Sequence, residues 1–366
     1  MKRIAAWILT LCLLCALLTA CAEEKTIQGT LTVEAPVKAH YEDNPAVPGE
    51  SPITGLPASG EAYTPIVITI DGNVASYPHW GVGDADILFQ VPNMGGGDTK
   101  LMALFANRYP ENAGAVRSAR ATMVPVAACF DAAYAYGGVP PIKGRAANID
   151  VDNLMRKLGM RSAGKCFDLL GGKFQERVNF VSRNEKTLNL SAHVKEIHEY
   201  LVTNNTPFEV RAFRFTDAPL AEGESAEWIK LEHRGINRKN KALSRSTSTF
   251  TYDAAEGGYV HRNVEDGIDA DRFTGETLIF ANVIVLRAQI KVQTFIENDY
   301  LYFTNNMAGD GVAEFFQNGH YVRGAWHRDT ETSRLVLVGP DGEEFPLQRG
   351  RSFIIFTNDV TDVTIR

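Results

Sequence analysis

Residues 89–100, FQVPNMGGGDTK, combine three consecutive glycines with an aspartate, a threonine and a lysine. Such a loop could cradle a phosphate, because glycine amides and a lysine ammonium are the groups that P-loops use. A P-loop also carries Ser or Thr directly after its lysine and opens a helix, whereas Lys100 is followed by Leu101 and an apolar run. The two apolar runs that flank the glycines therefore predict a β-hairpin, with the glycines in its turn.

A pair of arginines is the second feature suited to chemistry. Arg117 and Arg120 are three residues apart, so on a helix their guanidinium groups would share a face. Two guanidinium groups placed in this way could bind a carboxylate or a phosphate. Salt bridges to residues such as Glu111 or Asp131 are the alternative, and both interpretations fit the sequence.

The N-terminus has the pattern of a bacterial lipoprotein signal. Lys2 and Arg3 precede an apolar run over residues 4–18, and small residues stand directly before Cys21. A run of this length is typical of a cleaved secretory signal rather than a lasting transmembrane span. We predict cleavage before Cys21 and lipid on its sulfur, which would anchor the chain at the extracytoplasmic face of the cell membrane. An ordinary signal peptide is the alternative.

Charge and cysteine content exclude several kinds of partner. Removal of Lys2 and Arg3 leaves 35 basic against 44 acidic residues, a net charge of −9. Nucleic-acid binding depends on cations that displace counterions, so we expect no nucleic-acid partner. Beyond the predicted signal peptide the sequence has no CxxC motif and no zinc-ligand spacing, and we expect neither a metal site nor a cofactor. Cys129 and Cys166 could form a disulfide or remain buried thiols.

The chain divides into four segments by composition and periodicity. Residues rich in Glu, Pro, Ala, Ser and Gly suit a flexible tether, irregularly mixed strands and helices suit an α/β or α+β domain, and alternating runs broken by turns suit antiparallel β structure. The predicted segments are a signal peptide (1–20), a tether (21–60), a mixed α/β domain (61–205) and a mainly antiparallel β domain (206–366).

Two helices are predicted in the mixed domain. The first spans residues 151–159, with Asp150 or Asp152 near its start and Gly159 at its end. The second spans residues 191–204, where Ser191 is placed to cap the first turn.

Eight motifs, in order, carry a resemblance to a known family. They are SPITGLP (51–57), IVITIDGN (66–73), DADILFQVPNMGGGDTKLMALF (84–105), GAVRSARA (114–121), DAAYAYGGVP (131–140), TGETLIFANVIVL (274–286), FFQNGHYVRGAWHRD (315–329) and LVGPDGEEFPLQRGRSFIIF (337–356). Together they resemble the YerB-like lipoproteins, a family carried as a domain of unknown function. The resemblance covers most of residues 51–358 and implies an extracytoplasmic, lipid-anchored protein of two domains.

The chain departs from the family pattern at groups suited to proton transfer. Typical members have glutamates at the positions of Gln90 and Met94, a histidine at Tyr136, and a His-Asn pair after an arginine where this chain has Leu188-Asn189 after Arg183. The polar residues that stay are suited to binding and orienting a ligand. The predicted ligand-binding residues are Asp71, Gln90, Thr99, Lys100, Arg117, Arg120, Asp131 and Asn189.

Two functional hypotheses follow. The first is a cell-surface lipoprotein that binds or scaffolds a cell-envelope ligand, such as peptidoglycan or another envelope protein, through its first domain. The alternative is a peptidoglycan hydrolase or lyase, or an inactive relative of one. Glycan cleavage generally needs a carboxylic acid at the scissile bond, and Gln90 cannot donate a proton as an acid. We therefore expect a binding protein rather than an enzyme.

Overall fold

The computed structural model describes residues 24–41, 44–142, 146–180, 189–218, 220–236, 244–263 and 267–366. The proposed lipidation site Cys21 lies outside the described residues, as do Arg183 and Leu188. Within the described part of the chain, no helix is long and apolar enough to cross a membrane.

Before residue 206, the described ranges contain short strands that alternate with three α-helices. The helices are α1 (Met123–Cys129), α2 (Val151–Lys157) and α3 (Val194–Thr203). The strands are β1 (Lys25–Ile27), β2 (Ile66–Ile70), β3 (Ile87–Pro92), β4 (Thr99–Phe105), β5 (Ala113–Gly114), β6 (Ala133–Tyr136), β7 (Cys166–Asp168), β8 (Gln175–Arg177) and β9 (Leu190–Ala192).

The regular elements described beyond residue 206 are all strands. They are β10 (Phe215–Thr216), β11 (Glu224–Ser225), β12 (Trp228–Arg234), β13 (Ser244–Asp253), β14 (Gly258–Asn263), β15 (Gly267–Ile268), β16 (Ile279–Phe280), β17 (Asn282–Arg287), β18 (Ile290–Phe295), β19 (Asn298–Phe303), β20 (Gly309–Gln317), β21 (His320–Arg328), β22 (Val336–Val338), β23 (Leu347–Gln348), β24 (Ser352–Thr357) and β25 (Val363–Ile365). The predicted fold class, a mixed α/β part followed by a mainly antiparallel β part, is confirmed.

A mixed sheet of 11 strands organises the molecule. Its order is β11-β21-β20-β17-β24-β3-β4-β2-β6-β7, with β22 paired to β21. β4 is antiparallel to both β3 and β2, while β24 is parallel to β3 and β6 is parallel to β2. The pairing of β24 with β3 joins strands from the two predicted domains, so this sheet is continuous across the boundary predicted between residues 205 and 206.

A second sheet of seven strands packs on one face of the first. Its order is β1-β25-β12-β13-β14-β15, with β16 paired to β14. Successive side chains along a strand point to opposite faces of the sheet. Leu88 of β3 therefore packs in the core between the two sheets, together with Ile229 and Phe250. Phe89 packs in the core on the opposite face, together with Met123 of α1. The large sheet therefore separates two apolar cores.

The glycine-rich stretch is a hairpin turn, as predicted. β3 and β4 pair in antiparallel register from Pro92↔Thr99 to Ile87↔Leu104. The turn is closed by a hydrogen bond of 2.8 Å from the Asn93 amide to the Asp98 carbonyl. No helix follows Lys100, so the amides are not arranged as in a P-loop.

Part of the segment predicted as a flexible tether is docked on the fold. β1 pairs in antiparallel register with β25, and Ile27 is buried there. Further along, Tyr41 packs against Val336 and Val338 and its hydroxyl donates to the Gly342 carbonyl at 3.1 Å. Ile27 and Tyr41 meet apolar partners that lie far away in the sequence, and a composition-based argument cannot detect this.

The structure differs from one local prediction near the helices, and it excludes the helical arrangement considered for Arg117 and Arg120. Ser191 lies in β9 and accepts a hydrogen bond from Trp80 Nε1 at 2.9 Å, so it does not cap α3. The segment with Arg117 and Arg120 is extended rather than helical, because the Arg117 amide donates to the Thr69 carbonyl at 3.0 Å. By contrast, Asp150 caps α2, accepting from the Asn153 amide at 3.0 Å.

Candidate functional site

The predicted ligand-binding residues divide into two groups on opposite faces of the large sheet. Thr99 and Lys100 are consecutive residues of β4, so their side chains point to opposite faces. Thr99 faces the second sheet together with Gln90, whereas Lys100 is on the face that carries Met102 and Leu104. The residues that were predicted to form one site therefore lie in two separate clusters.

The first cluster is a buried hydrogen-bond network centred on Gln90. Gln90 Nε2 donates to Thr99 Oγ1 at 3.0 Å, and Gln90 Oε1 accepts from Ser248 Oγ at 2.8 Å and lies 3.0 Å from His233 Nε2. All four side chains are at least nine-tenths buried. Burial, reinforced by the charge of Arg287, lowers the pKa of His233 to about 4. The imidazole is therefore neutral at pH 7, with its Nε2–H donating to Gln90.

This network has little room for a substrate. The cavity beside it, lined by Thr99, His233, Arg234 and neighbouring residues, has a volume of about 10 Å³. That volume holds about one water molecule. Gln90, Thr99, His233 and Ser248 thus join the two sheets, and His233 and Ser248 carried no signal in the sequence that would have assigned them to this network.

The second cluster is cationic and consists of Lys100, Arg117 and Arg120 around the carboxylate of Asp71. Arg117 Nε lies 3.1 Å from Asp71 Oδ2, and Asp71 is almost fully buried. Arg120 Nη1 donates to the Ala119 carbonyl at 2.9 Å, while Arg120 Nε has no hydrogen-bond partner among the described residues. Within the described residues, these three cations are thus grouped around the carboxylate of Asp71.

Lys100 is the least compensated member of this cationic cluster. The residue is 5% exposed, and its ammonium forms no hydrogen bond or ion pair with a described residue, while Nζ keeps some contact with solvent. Burial, followed by the positive charge of Arg120, lowers the pKa of Lys100 to about 7, although Asp71 acts in the opposite direction. Near neutral pH a substantial fraction of the ammonium is therefore protonated without a counter-ion of its own.

The extended segment over residues 115–119 positions these cations. The Asp71 amide donates to the Ala115 carbonyl at 2.9 Å, and the Gly137 amide donates to the Arg117 carbonyl at 2.9 Å. A Cβ added at Gly137 would lie 2.9 Å from Leu190 Cδ2, so a larger residue would require the Leu190 side chain to shift where this segment passes β6 and β9. The segment is fixed from both sides, and Arg117 and Ser118 are its half-buried, solvent-facing residues.

The side chains of Asp131 and Asn189 have partners outside the cationic cluster. Asp131 precedes β6, at the opposite end of the strand from Asp71, where it accepts from Lys165 Nζ and from the Glu209 amide, both at 2.7 Å. Asn189 precedes Leu190, whose carbonyl accepts from the Val116 amide next to Arg117. The Asn189 side chain, however, accepts from Arg177 Nη1 at 3.0 Å. Both residues have structural partners.

Tyr136 and the two cysteines have ordinary structural surroundings. The Tyr136 hydroxyl accepts from Arg161 Nη2 at 3.0 Å, and burial raises the pKa of Tyr136 to about 12. Cys129 and Cys166 are free thiols. Burial raises the pKa of both, to about 11 for Cys166, which makes them poor nucleophiles.

Larger cavities lie elsewhere. One of about 500 Å³ is lined by Arg108, Asp271, Phe273 and Arg351, and another of about 490 Å³ by Tyr109, Lys195 and His198. Neither contains a residue of the predicted ligand-binding set. In the described part of the chain, no group of three or more His, Cys, Asp or Glu side chains is placed to hold a metal ion.

Comparisons with known proteins assign the chain to a family. Residues 53–200 match "Protein of unknown function (DUF3048) N-terminal domain" and residues 239–354 match the corresponding C-terminal domain. The chain is 23% identical over 321 residues to "Putative lipoprotein YerB" of Bacillus subtilis (strain 168), covering 86% of this chain and 88% of that protein. A crystal structure of the YerB protein from Bacillus subtilis has the same fold, with a TM-score of 0.66 and 20% identity over 86% of this chain and 99% of that one. The chain is therefore a divergent member of the YerB-like family and carries both DUF3048 domains.

Proposed function

We propose that this protein is a cell-surface lipoprotein, anchored through Cys21, that binds an anionic cell-envelope ligand at Lys100, Arg117 and Arg120. The anchor is supported by the N-terminal signal pattern and by the relative whose name describes a lipoprotein. The binding site is supported by one observation above the others: Lys100 is almost fully buried beside two arginines, and its ammonium, which keeps some contact with solvent, has no hydrogen-bond or ion-pair partner among the described residues.

A buried, uncompensated cation is unfavourable unless it gains a counter-charge. In most folded proteins the surroundings supply that charge, as Asp131 does for Lys165 here. Among the described residues, the carboxylate whose charge acts on Lys100 is that of Asp71, and it lies against Arg117. A phosphate or carboxylate of a ligand would supply the missing charge, and the arginine guanidinium groups would orient it through charge-assisted hydrogen bonds.

Binding can be measured with isolated cell-wall sacculi that carry phosphate-bearing polymers, with sacculi stripped of them, and with inorganic phosphate. We expect Lys100→Met and Arg120→Met each to weaken binding by roughly tenfold to a hundredfold, the effect of losing one charged hydrogen bond. Lys195→Met is the matched control, because Lys195 lies on α3 and forms an exposed ion pair with Glu111. Equal binding by all variants would refute the assigned site.

The same preparations test the enzymatic alternative. A Gln90→Glu variant would place a carboxyl group between His233 and Thr99, in a space that admits about one water molecule. We therefore expect no release of wall fragments from the wild type or from this variant. Release by either would favour a hydrolase or lyase over a binding protein.

The anchor has its own test. Cells given a labelled fatty acid should yield labelled protein in the membrane fraction, and Cys21→Ser should abolish both the label and the membrane location. Unlabelled wild-type protein outside the membrane fraction would refute the anchor without bearing on ligand binding.

A further inference from the structure

The proposed anchor lies very close to the folded body. β1 begins at Lys25, four residues after Cys21. Four residues span at most about 14 Å between Cα atoms, whatever their conformation. β1 is held in place by pairing with β25, from Lys25↔Ile365 to Ile27↔Val363. A lipid on Cys21 would therefore hold one particular end of the seven-stranded sheet next to the bilayer.

The register of the sheet identifies that end. Ile365, the partner of Lys25, also pairs with Ile229 near the start of β12. The neighbouring residue Trp228 is half-buried, and the Arg366 guanidinium lies 5.0 Å from its ring centre. Trp and Arg side chains of this kind suit the boundary between lipid and water.

Charge does not hold this end at the membrane. Lys25 is paired with Glu224, and Glu227 and Asp253 are exposed nearby. A surface with several carboxylates is not attracted to anionic lipids. The position of this end therefore depends on the short connection to the anchor.

The cationic cluster lies at the other end of the sheets. β12 runs from Trp228 to Arg234, and six residue steps of a strand cover about 20 Å. At its far end His233 contacts Gln90 of β3. The next residue of β3, Val91, pairs with Lys100 of β4, so Lys100 is at this far end.

We propose that the sheet end formed by Lys25, Trp228 and Arg366 faces the bilayer and that Lys100, Arg117 and Arg120 face away from it. This orientation rests on the proposed anchor at Cys21. The ligand of the cationic cluster is then a wall-side anion rather than a lipid headgroup of the anchoring membrane.

The orientation can be measured by energy transfer to an acceptor lipid in liposomes. The whole chain from Cys21 onward is coupled through the Cys21 thiol to a maleimide lipid, in a Cys166→Ser background, because Cys129 is fully buried. A donor dye is attached to an azide-bearing residue that replaces either Glu256 or Asn298. Glu256 is exposed in the β13–β14 turn. Asn298 is exposed beside the glycine turn, where the Gly95 amide donates to the Asp299 carbonyl at 2.9 Å.

We expect several-fold stronger transfer from position 256 than from position 298. Insertion of about 30 Gly and Ser residues after Glu24 is the control, and it should remove most of the difference, because such a linker lets the body turn freely. Equal transfer from both positions with the native connection, or stronger transfer from position 298, would overturn the proposal. Chemical coupling makes this result independent of acylation in cells, so a failure of the anchor and a failure of the orientation are distinguishable.

Discussion

The two polar clusters of the large sheet differ in how completely their groups are partnered. The cluster around Gln90 is buried between two sheets, and each of its side chains has a hydrogen-bond partner within the cluster. The cluster around Lys100 lies on the other face, where Lys100 is almost fully buried and the two arginines are half-buried, and it leaves the lysine ammonium and Arg120 Nε unpartnered within the described residues. Buried polar groups in folded proteins are nearly always satisfied, so of these two clusters the one with unpartnered groups is the better candidate for a ligand site.

Substitutions of Gln90 and of Lys100, the central residues of the two clusters, should differ in their effect on stability. Gln90→Leu would leave His233 and Ser248 without their acceptor and Thr99 without its donor, and we expect a loss of about 3 kcal/mol in the free energy of unfolding. Lys100→Met replaces an uncompensated buried amine by an apolar chain of similar length, so stability should stay constant or rise. Chemical denaturation at pH 7 measures both.

The comparison would be broken by the reverse ranking. If Lys100→Met destabilised the protein more than Gln90→Leu, the lysine would have a structural role that its contacts do not reveal. Lys195→Met on the surface of α3 gives the baseline, because an exposed ion pair contributes little.

The pH dependence of stability should sharpen the contrast on the Gln90 side. The pKa of His233 is lowered to about 4 from its ordinary value of 6.5, so in this window the unfolded chain binds the extra proton and the folded chain does not. The contribution of His233 to stability is present above pH 6.5 and is lost as pH falls through this window, by roughly 3 kcal/mol in total.

The change can be isolated with His233→Asn. Burial raises the pKa of Asp86 to about 6, which acts in the opposite direction, since that contribution is lost as pH rises through this value. Asp86 is present in both proteins, so the difference between their unfolding curves reports His233. Parallel curves between pH 4 and pH 6.5 would contradict a neutral, buried His233.

On the Lys100 side, ligand affinity rather than stability should follow pH. An anion binds the protonated amine, and the pKa of Lys100 in the free protein is about 7. Affinity should therefore fall as pH rises above 7, by at most about tenfold per pH unit, because each binding event must also take up a proton. Titrations between pH 6 and pH 9 measure this, and Lys100→Met should be flat over the range. A wild-type affinity that does not change above pH 7 would exclude Lys100 from the site.

Much of the fold followed from the sequence. Alternating apolar runs on either side of the three glycines predicted the β3–β4 hairpin, and Asp150 indicated the start of α2. The docked β1 was missed, because three residues with one buried isoleucine give no periodic signal and their partner β25 is more than 300 residues away.

The candidate site was harder to predict because it depends on long-range pairing. Thr99 and Lys100 were assigned to one site, although strand alternation alone requires adjacent side chains to point to opposite faces. The sequence could not decide whether Arg117 and Arg120 lie on a helix, and the structure shows an extended segment that bonds to β2 and to Gly137 instead of to itself. His233 and Ser248 lie 143 and 158 residues from Gln90, and no local pattern links them.

The smallest expected effect tests the division between neighbouring residues directly. Thr99→Val keeps the shape of the side chain and removes the acceptor of Gln90 Nε2, so it should lower the free energy of unfolding by about 1 kcal/mol. Because Thr99 faces away from the cationic cluster, the Thr99→Val protein should bind anions as tightly as the wild type. Lys100→Met should instead lower the affinity for anions without lowering stability. Denaturation and titration of the same two variants measure both properties. If Thr99→Val weakened binding as strongly as Lys100→Met, the two faces would be functionally connected and the division into a structural and a ligand-binding cluster would be wrong.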